Sequence, residues 1–155
     1  CIRDSIARYR EADLNVAIGT DGAASNNVLD MLLETQTASL LAKAAANDAQ
    51  ALGAFDSLSM ATIAGARALG LENVTGSISA GKWADLVCID LQALNSQPVY
   101  DPVSNLLYAA KSSQVSDVWV AGRQQVENGK LTDINVDDIA GRANEWSRQI
   151  RATEV

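Results

Sequence analysis

The feature that most limits the fold is a single apolar strand pattern in the first half of the chain. Residues 14–19 are a short apolar run typical of a strand, and residues 28–46 and 54–69 show helical periodicity. A strand followed by a helix is half of a parallel βα unit, and one such unit cannot close a sheet on its own. The first half therefore predicts part of a larger α/β arrangement.

Apolar spacing predicts which faces the helices bury. In the long helix, Ser25 or Asn26 offers the N-cap. The residues expected on its buried face are Leu29, Leu32, Leu33, Leu40, Leu41 and Ala44. Those expected on the helix over 54–69, which ends at Gly70, are Leu58, Ala61, Ala64, Ala68 and Leu69. Residues 3–13 predict a polar amphipathic helix before the strand.

The second half of the chain changes to short strands. Residues 85–91 predict an apolar strand with Cys88 as a small core residue. Residues 115–130 predict a β-hairpin with turns at Ala121-Gly122 and Asn128-Gly129. Residues 106–110 predict a short helix or turn, and residues 136–150 predict an amphipathic helix. We therefore divide the chain into residues 1–75, 76–132 and a closing helix at 133–155.

Composition excludes several classes of function. The net charge of −7 argues against nucleic acid or an anionic membrane as a partner. No apolar run reaches the roughly 18 residues that a membrane helix needs. Two cysteines are too few for a disulfide framework, so a cytoplasmic location is expected. The chain has no histidine, which excludes a histidine triad or a histidine metal cluster supplied by this chain alone.

The start of the chain is unusual. It begins at Cys1, and its two methionines, Met31 and Met60, lie well inside. A removed tag or a processed start explains this. The sharper expectation is that the chain is the C-terminal piece of a longer protein.

Asp21 is the candidate catalytic residue because it follows the apolar segment and precedes a helix. In α/β folds, ligands and catalytic groups collect at that end of a strand. Gly19 and Gly22 allow a sharp turn and close approach of a ligand. A carboxylate here can bind a metal and exchange a proton with metal-bound water. From the residues alone, a turn or helix-cap role for Asp21 is favoured over this one. A phosphate-binding loop is a weaker alternative, because the P-loop lysine and glycine spacing are missing.

Five short motifs follow one another along the chain. They are VAIGTDGAASNN at 16–27, MATIAGARALG at 60–70, GSISAGKWADLV at 76–87, DPVSNLLYAA at 101–110 and VWVAGR at 118–123. Together they resemble the amidohydrolase superfamily, and most of all its branch of chlorohydrolases and methylthioadenosine/S-adenosylhomocysteine deaminases. The resemblance covers nearly the whole chain.

The resemblance implies a fold and a chemistry. It implies an α/β chain that supplies the last strand and helices of a metal-dependent (β/α)8 barrel, followed by part of a small β-sandwich-like domain. The implied reaction is hydrolytic deamination or dechlorination of a nitrogen heterocycle, in which a divalent metal, commonly zinc or iron, activates water; zinc is favoured over iron. Asp21 matches the family's last-strand aspartate, which binds this metal and transfers protons. Matches to the substrate pocket are Ser25, Asn26 and Asn27, and structural roles are expected for Gly19, Gly22, Lys82 and Asp85.

The missing histidines decide what the isolated chain is expected to do. The family's other metal ligands are histidines on earlier strands, and this chain has none. We therefore expect the missing N-terminal part of the barrel to complete the zinc site and the substrate pocket. We expect the 155 residues alone to bind no metal tightly and to be inactive. The alternative is a non-catalytic interaction module. In either case homo-oligomers are expected, since an incomplete barrel leaves leucine-rich helix faces uncovered.

Overall fold

The computed structural model describes residues 5–153, so Cys1 and the first two residues of the predicted helix over 3–13 lie outside the described part. The helices are α1 (Ser5–Glu11), α2 (Met31–Ala46), α3 (Ala54–Ala61), α4 (Ile63–Ala68), α5 (Pro102–Tyr108) and α6 (Val136–Thr153). The strands are β1 (Leu86–Ile89), β2 (Val115–Val120), β3 (Arg123–Glu127) and β4 (Lys130–Leu131). They form one antiparallel sheet in the order β1-β2-β3-β4. No helix among residues 5–153 combines the length and apolar character needed to cross a membrane.

The predicted hairpin is confirmed. Strands β2 and β3 pair antiparallel across a two-residue turn, in which Ala121 and Gly122 have φ values of 49° and 79°. Asn128 and Gly129 form the second turn, between β3 and β4, with φ values of 49° and 74°. Two consecutive positive φ angles match the right-handed twist of paired strands. The Asn-Gly pair adopts them readily because neither residue is strongly disfavoured there.

The predicted strand over residues 14–19 is wrong, since the structure has no strand there. A strand exists only where a neighbour completes its backbone hydrogen bonds, and parallel barrel strands need neighbours on both sides. Instead, the amide of Ile18 donates to the carbonyl oxygen of Met60, 3.2 Å away. Val16 and Ile18 pack against a small core formed by Ala42, Leu52 and Met60. The segment is thus held by packing against the helices and not by pairing in a sheet.

Helix α2 begins later than predicted, and its cap is a different residue. Asp30 is the N-cap, and its Oδ1 accepts from the amides of Leu32 and Leu33 at 3.0 and 3.2 Å. Neither Ser25 nor Asn26 caps the helix. Asp30 satisfies two amides of the first turn with one carboxylate oxygen, which is the usual chemistry of an N-cap.

The face that α2 buries is also different from the predicted leucine face. Its buried residues are Thr35, Ser39 and Ala42, whereas Leu40 and Leu41 are each 50% exposed. Small residues allow close approach of the neighbouring elements. The hydroxyl of Ser39 donates to the carbonyl oxygen of Leu52 and forms a second hydrogen bond with the hydroxyl of Tyr108, both at 2.8 Å. Because both partners satisfy the hydroxyl, Ser39 can be fully buried.

Two more predicted helices need correction. The helix over 54–69 is two helices, α3 and α4, because Thr62 between them has φ −127° and ψ −95°. Its buried residues are Ser57, Met60, Ala64 and Ala66, and Leu69 is 75% exposed. The short helix over 106–110 is α5, which begins earlier, with Asp101 as N-cap and Pro102 in its first turn. Proline is favoured there because the first-turn amides have no intrahelical partner.

The sheet edge and the closing helix expose apolar side chains. Cys88, predicted as a core residue, is exposed on β1, which is an edge strand with no neighbour on its outer side among the described residues. The helix predicted over residues 136–150 is confirmed as α6, but none of its described residues is buried, and Trp146 is 64% exposed. The other apolar side chains more than half exposed on α6 are Val136, Ile139 and Ile150.

We expect the isolated chain to self-associate through the exposed apolar faces of α2 and α6, since monomeric soluble proteins rarely expose large contiguous apolar patches. Light scattering after size-exclusion chromatography should give a mass above the monomer's 16.4 kDa. Leu40→Lys, which places a charge on the exposed leucine face of α2, should shift the population towards the monomer. A monodisperse 16.4 kDa species at micromolar concentration would contradict this expectation.

Candidate functional site

Asp21 lies in an exposed loop between the residue 14–19 segment and α2. Its backbone is left-handed, with a φ of 60°, a conformation that aspartate adopts more readily than most residues. Its Oδ1 accepts from the amide of Gly22 at 2.7 Å, and the hydroxyl of Thr20 donates to its carbonyl oxygen at 3.2 Å. The side chain is exposed rather than packed into the interior. A carboxylate presented in this way is accessible to a ligand.

The segment leading to Asp21 is held from one side. In addition to the Ile18–Met60 hydrogen bond, the side-chain amide of Asn15 donates to the carbonyl oxygen of Ala64 at 2.9 Å. These bonds connect the segment to α3 and α4. The Asp21 loop therefore directly follows a segment that hydrogen bonds hold against two helices.

The three predicted pocket residues have different surroundings. The amides of Ser25 and Asn26 both donate to the carbonyl oxygen of Gly22 at 2.9 Å, which closes a turn directly after Asp21. The side chain of Asn26 is half-buried and donates to Glu34 Oε1 at 2.7 Å. The side chains of Ser25 and Asn27 are exposed. Sequence reasoning missed Glu34, because its contact with Asn26 depends on how the loop folds onto α2.

The donors around Asp21 do not suffice for a metal site. Among residues 5–153, no group of three or more histidine, cysteine, aspartate or glutamate side chains is arranged to hold a metal ion. Stable zinc sites use three or four converging protein ligands. The described residues therefore do not fit a complete metal centre, and Asp21 itself offers only a single carboxylate.

Lys82 and Asp85 hold the loop before the sheet, and Asp85 also connects it to the first hairpin turn. The ammonium of Lys82 donates to the carbonyl oxygens of Glu72 and Thr75. Asp85 Oδ1 accepts from the amide of Ala121 at 2.7 Å, and Oδ2 accepts from the hydroxyl of Thr75 at 2.6 Å. The Lys82 contacts close the loop on itself, and the Asp85–Ala121 contact joins the loop to the sheet.

Hydrogen bonds to carboxylates lower three aspartate pKa values below the ordinary value of 3.8. For Asp85, the amide and hydroxyl donors just described lower the pKa. For Asp101, the amide of Val103 makes the largest contribution to the lowered pKa. Partial burial raises the pKa of Asp30, but the hydroxyl of Ser112, 2.7 Å from Oδ2, and two amides outweigh it and lower the pKa. All three carboxylates are therefore more acidic in the folded chain than in the unfolded chain.

Acid should destabilise the fold through these groups. A lowered folded-state pKa gives stability above the unfolded value of 3.8, and that stability is lost as the pH falls through the folded-state pKa. We expect a lower urea midpoint at pH 3 than at pH 7. Asp85→Asn should reduce this difference because one carboxylate with a lowered pKa is gone. Equal midpoints at both pH values would contradict the expectation.

A separate cavity of about 450 Å³ lies between the start of α2 and the connection from α5 to β2. Its lining includes Asp30, Gln36, Tyr108, Lys111 and Ser112. Several of these polar groups are already paired within the protein. The side-chain amide of Gln36, for example, donates to the carbonyl oxygens of residues 107 and 108 at 3.2 and 3.1 Å. Neither Asp21 nor the pocket candidates at 25–27 line this cavity.

Comparison with known proteins identifies the family. The amidohydrolase family profile matches residues 3–125. The chain belongs to the amidohydrolase family. A 5-methylthioadenosine/S-adenosylhomocysteine deaminase of Teredinibacter turnerae is 47% identical over 146 residues, covering 94% of this chain and 33% of that protein. A 5'-deoxyadenosine deaminase of Methanosphaera stadtmanae is 44% identical over 145 residues, covering 94% and 34%. The chain thus spans about a third of the length of these relatives.

Solved amidohydrolase structures share the arrangement. An adenosine deaminase from Xanthomonas campestris with bound zinc superposes with a TM-score of 0.91 and 49% identity, covering 94% of this chain and 33% of that chain. An atrazine chlorohydrolase from Arthrobacter aurescens, complexed with zinc, gives a TM-score of 0.84 and 29% identity, covering 91% and 31%. The predicted resemblance to the deaminase and chlorohydrolase branch is confirmed.

Proposed function

We propose that this chain is part of a metal-dependent amidohydrolase that deaminates an adenosine-like nucleoside or a related nitrogen heterocycle. The observation that carries the proposal is the family match over residues 3–125, which includes the Asp21 motif. The 47% identity to a deaminase over 94% of the chain supports it. Solved relatives that contain zinc support a zinc enzyme. In this proposal, residues 1–75 complete a (β/α)8 barrel, residues 76–132 belong to a small β-rich domain and residues 133–155 close it.

Asp21 is the residue that we propose for catalysis. It is exposed, and it lies between the residue 14–19 segment and α2. In the complete barrel proposed here that segment would be the last strand, and the loop after a strand is the usual position of barrel catalytic residues. Its carboxylate is suited both to accepting and releasing a proton and to acting as one metal ligand. The remaining ligands must come from residues outside this chain, because it contains no histidine and no cluster of three ligands among the described residues. We propose that the 155 residues alone are inactive.

The test is ammonia release by the polypeptide that the whole reading frame encodes, purified with zinc and assayed on 5'-methylthioadenosine, S-adenosylhomocysteine and adenosine. We expect release from at least one of them, and its loss in Asp21→Asn. Asp13→Asn is the matched control, because Asp13 is also exposed and left-handed, with a φ of 55°. Asparagine tolerates this conformation, so both variants keep the backbone. A reading frame confined to these residues, or full activity in Asp21→Asn, would overturn the proposal.

A second candidate function is a non-catalytic module that self-associates. The observation that favours it is the exposed apolar surface of α2 and α6. Zinc-dependent ammonia release by the complete polypeptide would decide against it.

A further inference from the structure

We propose that Glu34 is a positioning residue that fixes Asp21 through Asn26. The importance of Asp21 itself rests on the proposed function, but the contacts that fix it do not. Glu34 lies in the first turn of α2, and its Oε1 accepts from the side-chain amide of Asn26 at 2.7 Å. The two residues are eight positions apart, so this bond connects the loop to the helix.

The side chain of Asn26 is held at both ends. Its nitrogen donates to Glu34, and its oxygen accepts from the amide of Val28 at 3.1 Å. A carboxylate only accepts and a backbone amide only donates, so the two partners determine which way the asparagine amide faces. Asn26 is therefore a fixed link rather than a freely rotating surface side chain.

A short series of hydrogen bonds continues from Asn26 to Asp21. The amide of Asn26 donates to the carbonyl oxygen of Gly22, as does the amide of Ser25, both at 2.9 Å. The amide of Gly22 donates in turn to Asp21 Oδ1 at 2.7 Å. The position of the Asp21 carboxylate thus depends on a turn that Glu34 secures through Asn26.

Glu34 is well placed to hold this turn. A carboxylate in the first turn of a helix is favoured by the helix dipole. The capping role is already filled by Asp30, whose Oδ1 accepts from two first-turn amides. Helix α2 is itself held against α5, since Gln36 donates to the carbonyl oxygens of residues 107 and 108. Glu34 therefore provides a rigid attachment point that the helix does not need for its own cap.

The direct test is amide hydrogen exchange of the 155-residue chain, measured by NMR. Glu34→Ala should speed exchange at Ser25 and Asn26 about fivefold or more, because a charge-assisted hydrogen bond is lost. Glu34→Gln keeps an acceptor oxygen and should restore exchange to within about twofold of the parent. Thr37→Ala, at an exposed site on the same helix, is the control. Amides in the middle of α2 should be unaffected in all three variants.

Three results would overturn the inference. Exchange at Ser25 and Asn26 that is unchanged in Glu34→Ala would show that the bond does not hold the turn. Equal acceleration in Glu34→Gln would show that the acceptor is not what matters. Uniform acceleration along the chain would indicate a merely structural role for Glu34.

Activity of the complete polypeptide separates this inference from the proposed function. We expect Glu34→Ala to lower kcat more than it raises KM, and Glu34→Gln to restore kcat. The exchange experiment uses neither metal nor substrate. If the exchange effect appears and no variant or parent releases ammonia, the proposed function fails while the contact to Asp21 stands. If the parent is active and Glu34→Ala keeps its kcat, the positioning role fails alone.

Discussion

Gly76→Ala should lower the free energy of unfolding by about 2–5 kcal/mol. Gly76 has a φ of 82°, where a side chain is strained. A Cβ added there would lie 2.6 Å from the Cβ of Ala66 and 3.0 Å from the Cα of Ile63. The first contact is shorter than real Cβ contacts and the second is tighter than most of them. Ile63 Cα belongs to the backbone, so α4 and the loop must move apart. Strain and overpacking therefore add at this one site.

The matched control is the same substitution in α6. Gly141 lies inside the helix, and the position that a methyl group would take there is open space. Alanine has the higher helix propensity, so Gly141→Ala should stabilise the chain by about 0.5–1 kcal/mol if α6 unfolds with the rest. Urea unfolding followed by circular dichroism, at one protein concentration because self-association shifts the midpoint, measures both. Gly76→Ala with the stability of the parent would show that the close contact with α4 is not real.

Met60→Ala should cost about 2–5 kcal/mol, the range for removing a large buried side chain. Met60 is 6% exposed and packs in the small core with Ala42 and Leu52. Val16 and Ile18 pack against the same core, so its loss also loosens the segment before Asp21. We expect faster exchange of the Ile18 amide, which donates to the carbonyl oxygen of Met60.

Met31→Ala is the control for residue type. Met31 is 37% exposed at the start of α2, so truncation removes less buried surface and should have a smaller effect than Met60→Ala. Urea unfolding gives the two free energies, and exchange of the Ile18 amide gives the local effect. Equal losses in the two variants would contradict the core described here.

Sequence reasoning succeeded where local chemistry determines the structure. The turns at Ala121-Gly122 and Asn128-Gly129 follow from two-residue hairpin geometry, which needs no distant partner. The closing helix α6 follows in the same way from its apolar spacing. These elements could be predicted because their signals lie within a few residues of one another.

Sequence reasoning failed where contacts between distant parts of the chain determine the structure. Residues 14–19 have a strand composition but no strand neighbour among the described residues, so they pack on helices. The leucines of α2 have helical spacing, yet the helix buries Ser39, whose partners are 13 and 69 positions away in the chain. Burial of a serine cannot be predicted without knowing those partners.

The candidate site likewise has one part that could be predicted from the sequence and one part that could not. The motif around Asp21 could be found because it resembles a family pattern in unbroken sequence. Glu34 could not, because its role depends on the orientation of the Asn26 side chain after folding. Ser25 and Asn26 were expected as helix caps or pocket residues, and Asp30 takes the cap because it lies directly before the first helical turn.

The central claim of the proposed function is that this chain does not complete a metal site by itself, so residues outside it must supply the ligands that Asp21 lacks. The most direct measurement is the zinc content of the 155-residue chain after equilibrium dialysis, by mass spectrometry of the metal. We predict well under one zinc per chain, with the same value for the parent, Asp21→Asn and Asp13→Asn. One tightly held zinc per chain, lost in Asp21→Asn and kept in Asp13→Asn, would contradict the claim.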